Sequence, residues 1–249
     1  MSYAPRARKC IYCGERADSL EHVIPRWIPE HFGLEAEVMS HDQAIGITPG
    51  QRMLFGDYKA RIYCHRCHRR INRLIENTQA RELIKRLFPG SAATLDLDEQ
   101  KLLAAWATKT CYAKWGMARR RRGIPIAHRR HLIETGEPWP SVCVSVSRST
   151  GDRVRVIFAR HEITSAVDGS ISYAYDFVLA IGQLALEVWG PSSRIRLVEY
   201  KQPTSFATRL WPTQTNVARW PPGRHLDDDG VSRLRDYDPR AGKQSRETT

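Results

Sequence analysis

Two Cys-x-x-Cys pairs, Cys10/Cys13 and Cys64/Cys67, stand fifty residues apart, and the second is followed at once by His68. Each pair can present two thiolates to one ion, so together they close a tetrahedral all-sulfur site. Such a site pins a distant loop onto the start of the chain, and this limits how the first seventy residues fold. We read these four cysteines as ligands of a structural zinc, ahead of a disulfide or four unrelated buried thiols. Cys111 falls in an apolar helical stripe and Cys143 in an alternating run, so both read as core.

With 249 residues the chain is long enough for a substantial core. No run approaches the ~18 apolar residues of a membrane span, and the N-terminus lacks the apolar segment of an export signal. A cytoplasmic location and reduced cysteines are the expectation. The net charge is +12, and most of it lies in one half. Residues 1–135 hold 24 Lys and Arg against 14 Asp and Glu, while residues 136–249 hold 15 against 13. A field of that sign attracts a polyanion. Arginine outnumbers lysine 31 to 8; codon bias accounts for the ratio and phosphate binding for the placement.

Periodicity predicts an α+β chain. A metal knuckle at 10–14 leads to a short strand over 20–24, ended by Pro25, and a short helix over 26–32. Residues 34–57 show no clear period and read as loop. A second strand over 58–63 runs into Cys64, and one long helix is expected from His65 to about Phe88. Further helices are expected over 98–118 and 125–134. Beyond Pro140, alternation predicts antiparallel strands over 142–146, 154–158, 173–179, 184–188 and 195–198. The expected divisions are a small clamped module at 1–89, a helical link at 90–136, a β-rich domain at 137–238 and a frayed tail at 239–249.

Between the cysteine pairs lies Glu21-His22-Val23-Ile24-Pro25, and Cys64-His65-Arg66-Cys67-His68 opens the long helix. This combination over residues 10–76 resembles the HNH nuclease family of the ββα-metal fold. The run Cys67-His68-Arg69-Arg70-Ile71-Asn72-Arg73-Leu74-Ile75-Glu76 is similar to a bacterial and phage subgroup of it. Less specifically, so are Leu103 to Thr110 and Trp220-Pro221-Pro222. The common pattern carries an Asn just before the second cysteine pair, and residues 51–63 hold none.

The resemblance implies a zinc-clamped ββα module that hydrolyses phosphodiester bonds around one Mg²⁺ or Mn²⁺. His22 would be the general base and Glu21 a ligand of the catalytic ion. His68 matches the last metal histidine. Asn72, one turn on, is a second ligand or a phosphate contact, and Glu76 orients a neighbour or an arginine. In a regular strand Glu21 and His22 point to opposite faces, so both serve one centre only if the strand bends there.

Arg66, Arg69, Arg70 and Arg73 crowd the helix that carries His68. Arg119, Arg120, Arg121 and Arg122 follow the next helix, where they contact phosphate or simply form a solvated helix end. The expected partner is nucleic acid, with double-stranded DNA preferred, and no membrane. No sequence-reading helix is evident, so a protein partner could confer specificity. The competing class is a non-catalytic zinc module that binds nucleic acid.

Overall fold

The computed structural model describes residues 8–32, 37–41, 52–54, 59–117, 123–150, 154–164, 171–191, 207–221 and 225–226. In chain order the elements are β1 (Ser19–His22), α1 (Trp27–Phe32), β2 (Glu37–His41), β3 (Arg52–Leu54), β4 (Lys59–Tyr63), α2 (His65–Leu74) and α3 (Thr78–Leu87). There follow β5 (Ala93–Leu95), α4 (Leu97–Met117), α5 (Ile126–Thr135), β6 (Cys143–Ser149), β7 (Val154–Thr164), β8 (Ile171–Ile181) and β9 (Leu184–Pro191). The last strands are β10 (Ala207–Trp211), β11 (Ala218–Trp220) and β12 (His225–Leu226). The chain is therefore α+β, as expected.

β1 and β4 pair antiparallel, with Glu21 opposite Ala60 and His22 opposite Lys59, and the register shifts between Ser19 and Leu20. α2 follows β4 after one residue. Cys64 caps it without a side-chain bond. Instead Asp18, just ahead of β1, accepts a 3.0 Å hydrogen bond from the His65 amide. A carboxylate at a helix N-terminus complements the exposed amides there and the helix dipole, and this one also ties β1 to α2.

The long helix expected from His65 to Phe88 is two helices. α2 stops at Leu74, and the Asn77 side chain caps α3 by accepting from the Ala80 amide at 3.0 Å. Asparagine favours a cap over a helix interior because its short side chain bonds nearby backbone amides. Glu76 thus lies in the junction rather than on the face of one continuous helix. Residues 34–57, read as loop, contain β2 and β3, which extend the large sheet. That sheet runs β10-β6-β9-β8-β7-β2-β3, with β12 also on β6. It is antiparallel except where β2 meets β7 and β12 meets β6. The expected strand at 195–198 and the tail at 239–249 lie outside the described residues.

α4 holds the parts together. It begins with a reciprocal capping box: Asp96 Oδ1 accepts from the Glu99 amide at 2.8 Å, and Glu99 accepts from the Asp96 amide at 3.1 Å. Apolar or small residues fall on every side of it, as suits a helix enclosed all round. Leu103 through Gly116 are all buried. Thr108 and Thr110 satisfy their hydroxyls by donating to the Ala104 and Trp106 carbonyls at 2.8 and 2.9 Å. Near its end a Cβ on Gly116 would meet the side chains of Ile11 and Ile62 at 3.2 Å. That close approach seats the helix against the first cysteine knuckle and β4. Within the segment expected as a helical link, α4 is therefore buried from Leu103 to Gly116, and one apolar cluster runs from Cys10 through α4 to Trp220. Among the described residues no helix is long and apolar enough to cross a membrane.

α5 closes this core with His128, whose Nδ1 lies 3.1 Å from the Tyr175 hydroxyl and whose ring stacks on Trp139. Burial, aided by the His131 and Arg129 charges, pushes the imidazole down to about 4. The unfolded chain takes up this proton near pH ~6.5, where the folded protein does not. Stability is therefore full above that pH and is lost as the pH falls toward the folded value. Urea unfolding should show a loss of about 2 kcal/mol between roughly pH 6.5 and pH 5 assignable to this residue. His128→Gln should remove that part of the decline, and parallel pH profiles for the two proteins would refute it.

Candidate metal centre and charge cluster

The four cysteines meet. One sulfur from each of Cys10, Cys13, Cys64 and Cys67 lies within 4.8 Å of the others, and Cys13 Sγ is 3.6 Å from Cys64 Sγ. Sulfurs at ~2.3 Å from one zinc stand about 3.8 Å apart along a tetrahedral edge. The set therefore fits a zinc ion. Burial and the neighbouring sulfurs, Cys10 foremost, push the Cys67 thiol far up. Four thiolates this close need a cation among them. The knuckle is held from both sides, because Gly14 takes φ 83° to turn it and Arg129 of α5 donates to the Ile11 carbonyl.

Immediately beside the clamp, β1 and α2 bring two predicted residues together. Glu21 Oε2 lies 2.9 Å from His68 Nε2. His68 is set by its other nitrogen, Nδ1, at 2.5 Å from Ser19 Oγ. Ser19 and Glu21 are both buried on one side of β1, while Leu20 is exposed and His22 half-buried. The strand alternates through Glu21 and His22, and the register shift comes earlier, so it does not turn both side chains to one face.

The third partner of Glu21 comes from α4. Lys109, fully buried, donates to Glu21 Oε1 and, at 2.7 Å, to Glu76 Oε1. Burial opposes every charge in this group. For Glu21 the Lys109 ammonium and the His68 hydrogen bond outweigh it and hold the carboxyl below the usual range. For Glu76 burial prevails over Lys109 and the carboxyl is raised. For Lys109 the two carboxylates prevail and its pKa is raised. A buried pair broken by loss of one partner typically costs about 3–5 kcal/mol, so the cluster fixes the seat of Glu21 firmly.

Glu21 and His68 could also serve as two ligands of a hydrated divalent ion, although both oxygens of Glu21 already have partners. Ligands at ~2.1 Å on adjacent corners of an octahedron are about 3.0 Å apart, close to the 2.9 Å between Glu21 and His68. Magnesium commonly takes one or two protein ligands and completes its shell with water and substrate phosphate. The Tyr63 hydroxyl, buried near Glu21 and Glu76, has no hydrogen bond of normal geometry among the described residues.

The other predicted residues are placed as follows. The His22 imidazole makes no hydrogen bond among the described residues, its backbone lying in register with Lys59 of β4. Burial, with Arg26, Lys59 and Lys109, lowers its pKa against the opposing pull of Glu21. Asn72 is exposed on α2 and does not touch the cluster, whereas Glu76 does. Arg66, Arg69, Arg70 and Arg73 are all exposed. The nearby cysteine sulfurs, Cys13 foremost, raise the pKa of Arg66, and Arg70 donates to the Glu134 carbonyl at 2.8 Å. Arg119, Arg120, Arg121 and Arg122 lie outside the described residues. Sequence reasoning assigned no role to Lys109 or Ser19. A lysine inside the apolar stretch from Leu102 to Trp115 was the available signal for Lys109, because a charge enclosed there needs a partner. Ser19 had none beyond sharing a strand face with Glu21.

Comparison with protein-family models, with curated proteins and with solved structures finds no match for this chain. Function therefore has to be argued from the site. The clamp makes the first claim: Cys64→Ser should lose the bound zinc, about one equivalent by metal analysis, and lower the thermal midpoint sharply. A zinc-free variant with the parental melting curve would remove the structural role.

Proposed function

We propose that this chain is a divalent-metal-dependent endonuclease of the HNH type that hydrolyses phosphodiester bonds in nucleic acid, double-stranded DNA foremost. The observation that carries this is the 2.9 Å contact between Glu21 and His68 across a hairpin and helix joined by four sulfurs. Glu21 and His68 would hold Mg²⁺ or Mn²⁺, which when bound supplies Lewis-acid stabilisation of charge on the phosphate and the leaving oxygen.

The chain's own groups do the rest. Ser19 fixes the ring of His68 so that Nε2 faces Glu21, the kind of outer contact that orients metal-binding histidines. Lys109 holds the second oxygen of Glu21. His22, on the next residue of the strand, would take the proton from the attacking water, a role that requires its imidazole to swing to the side of β1 that carries Glu21, since the strand alternates through the two residues. Its lowered pKa keeps the imidazole neutral and able to accept near neutral pH. Arg69 and Arg73, exposed on α2 near this site, attract the phosphate backbone.

One observation favours a second reading. Both oxygens of Glu21 already have partners, Lys109 and His68, so the cluster can serve as a purely structural ion network in a zinc module that binds nucleic acid without cutting it. The two readings separate on His22, which such a network does not use.

His22→Ala should abolish Mg²⁺-dependent nicking of plasmid DNA while leaving zinc content and DNA binding intact. Cleavage at the parental rate would remove the base assignment, and absence of cleavage by the parent with any divalent ion would favour the binding module. Affinity for duplex DNA should also fall steeply with added salt, because each phosphate contact releases counterions. A flat profile from low to moderate salt would argue against a polyanionic ligand.

A further inference from the structure

We propose that Lys109 is an internal counter-cation that makes occupancy of the divalent-ion site depend on the arrival of an anionic phosphate. The inference rests on the reading of Glu21 and His68 as ligands of that ion, and extends it to how the site is regulated.

The argument is one of charge in a closed space. Lys109 comes from the middle of α4, is wholly buried, and places its ammonium on Glu21 and on Glu76 at once. Glu21 and Glu76 come from different elements, β1 and the α2–α3 junction, and Lys109 bonds both carboxylates directly. Counting a ligating imidazole as neutral, two carboxylates and one ammonium carry a formal charge of −1. A divalent ion on the Glu21–His68 edge turns this to +1, with the ammonium a few ångströms away on the other oxygen of the same carboxylate. Like charges at that separation repel strongly where water is excluded. One phosphodiester brings the total to zero.

The ion and the phosphate should therefore bind with positive coupling, each raising the affinity for the other by the same factor. Without Lys109 the bare cluster is −2, and the ion alone neutralises it. Divalent-ion binding should then be tight without nucleic acid and gain little from it. This separates regulation from support: a lysine that only braces the fold would leave metal affinity without any relation to cluster charge.

The experiment measures Mn²⁺ binding by electron paramagnetic resonance to the full, zinc-loaded chain. It uses a His22→Ala background, with and without a short DNA duplex. Lys109→Met should bind Mn²⁺ alone about tenfold or more tighter than its parent and lose most of the gain from DNA. Glu76→Gln, which raises the cluster to a formal zero, should bind Mn²⁺ more weakly than the parent. Lys109→Met with Glu76→Gln restores −1 and should return to parental affinity and coupling.

Unchanged or weaker Mn²⁺ binding in Lys109→Met, or an affinity order that does not follow cluster charge, overturns the proposal. Should Lys109→Met fail to fold, Glu76→Gln and the double variant decide alone, and parental Mn²⁺ affinity in Glu76→Gln overturns it. His68→Ala tests the underlying reading separately. If Mn²⁺ binds that variant as well as the parent, or binds no form with or without DNA, the ligand assignment is wrong whatever Lys109 does.

Discussion

Four sulfurs at one point set the geometry of everything near the site. They join the knuckle at Cys10–Cys13 to the first turn of α2 across fifty residues. Closing a loop of that length costs chain entropy that grows only slowly with loop size, and a metal–thiolate site can offset it outright. With that junction made, β1 pairs with β4 and the start of α2 stands over β1. The contact between Glu21 and His68 follows from this placement, because each lies within a turn or a strand pair of the junction.

The second constraint is the enclosure of α4. A helix surrounded on all sides gains apolar burial on every face, but it admits a charge only if that charge is matched. Lys109 meets this condition by bridging Glu21 and Glu76. Two unlike demands thus converge on one side chain. The core needs the ammonium paired, and the site needs its carboxylate held. In the proposal made above, the same cation that steadies Glu21 would compete with a metal for it and make the site sensitive to the charge of what binds.

Much of this was legible from residues alone, and for physical reasons. Cysteine spacing announces a tetrahedral site because few other arrangements use it. The stripe on α2, the helix expected from Asp98 and the alternation of β6 to β9 are local patterns tied to the periods of helix and strand. The break between α2 and α3 was missed because Ile71, Leu74, Ile75, Leu83 and Ile84 keep helical spacing across it, and the Asn77 cap that interrupts them is a single residue. β2 and β3 were missed because both are short, and β7, the strand through which β2 joins them to the sheet, lies over a hundred residues away.

What the sequence by itself determined is the sulfur cluster, the strand that carries Glu21 and His22, and the helix that carries His68. These depend on contacts or periods that residue type and spacing express directly. Only the tertiary structure decided that Glu21 faces His68 rather than sharing a face with His22, that Asn72 lies exposed while Glu76 turns inward, and that Lys109 closes the cluster. Those choices depend on which side of a strand is covered and on which distant helix covers it, and no local pattern encodes either.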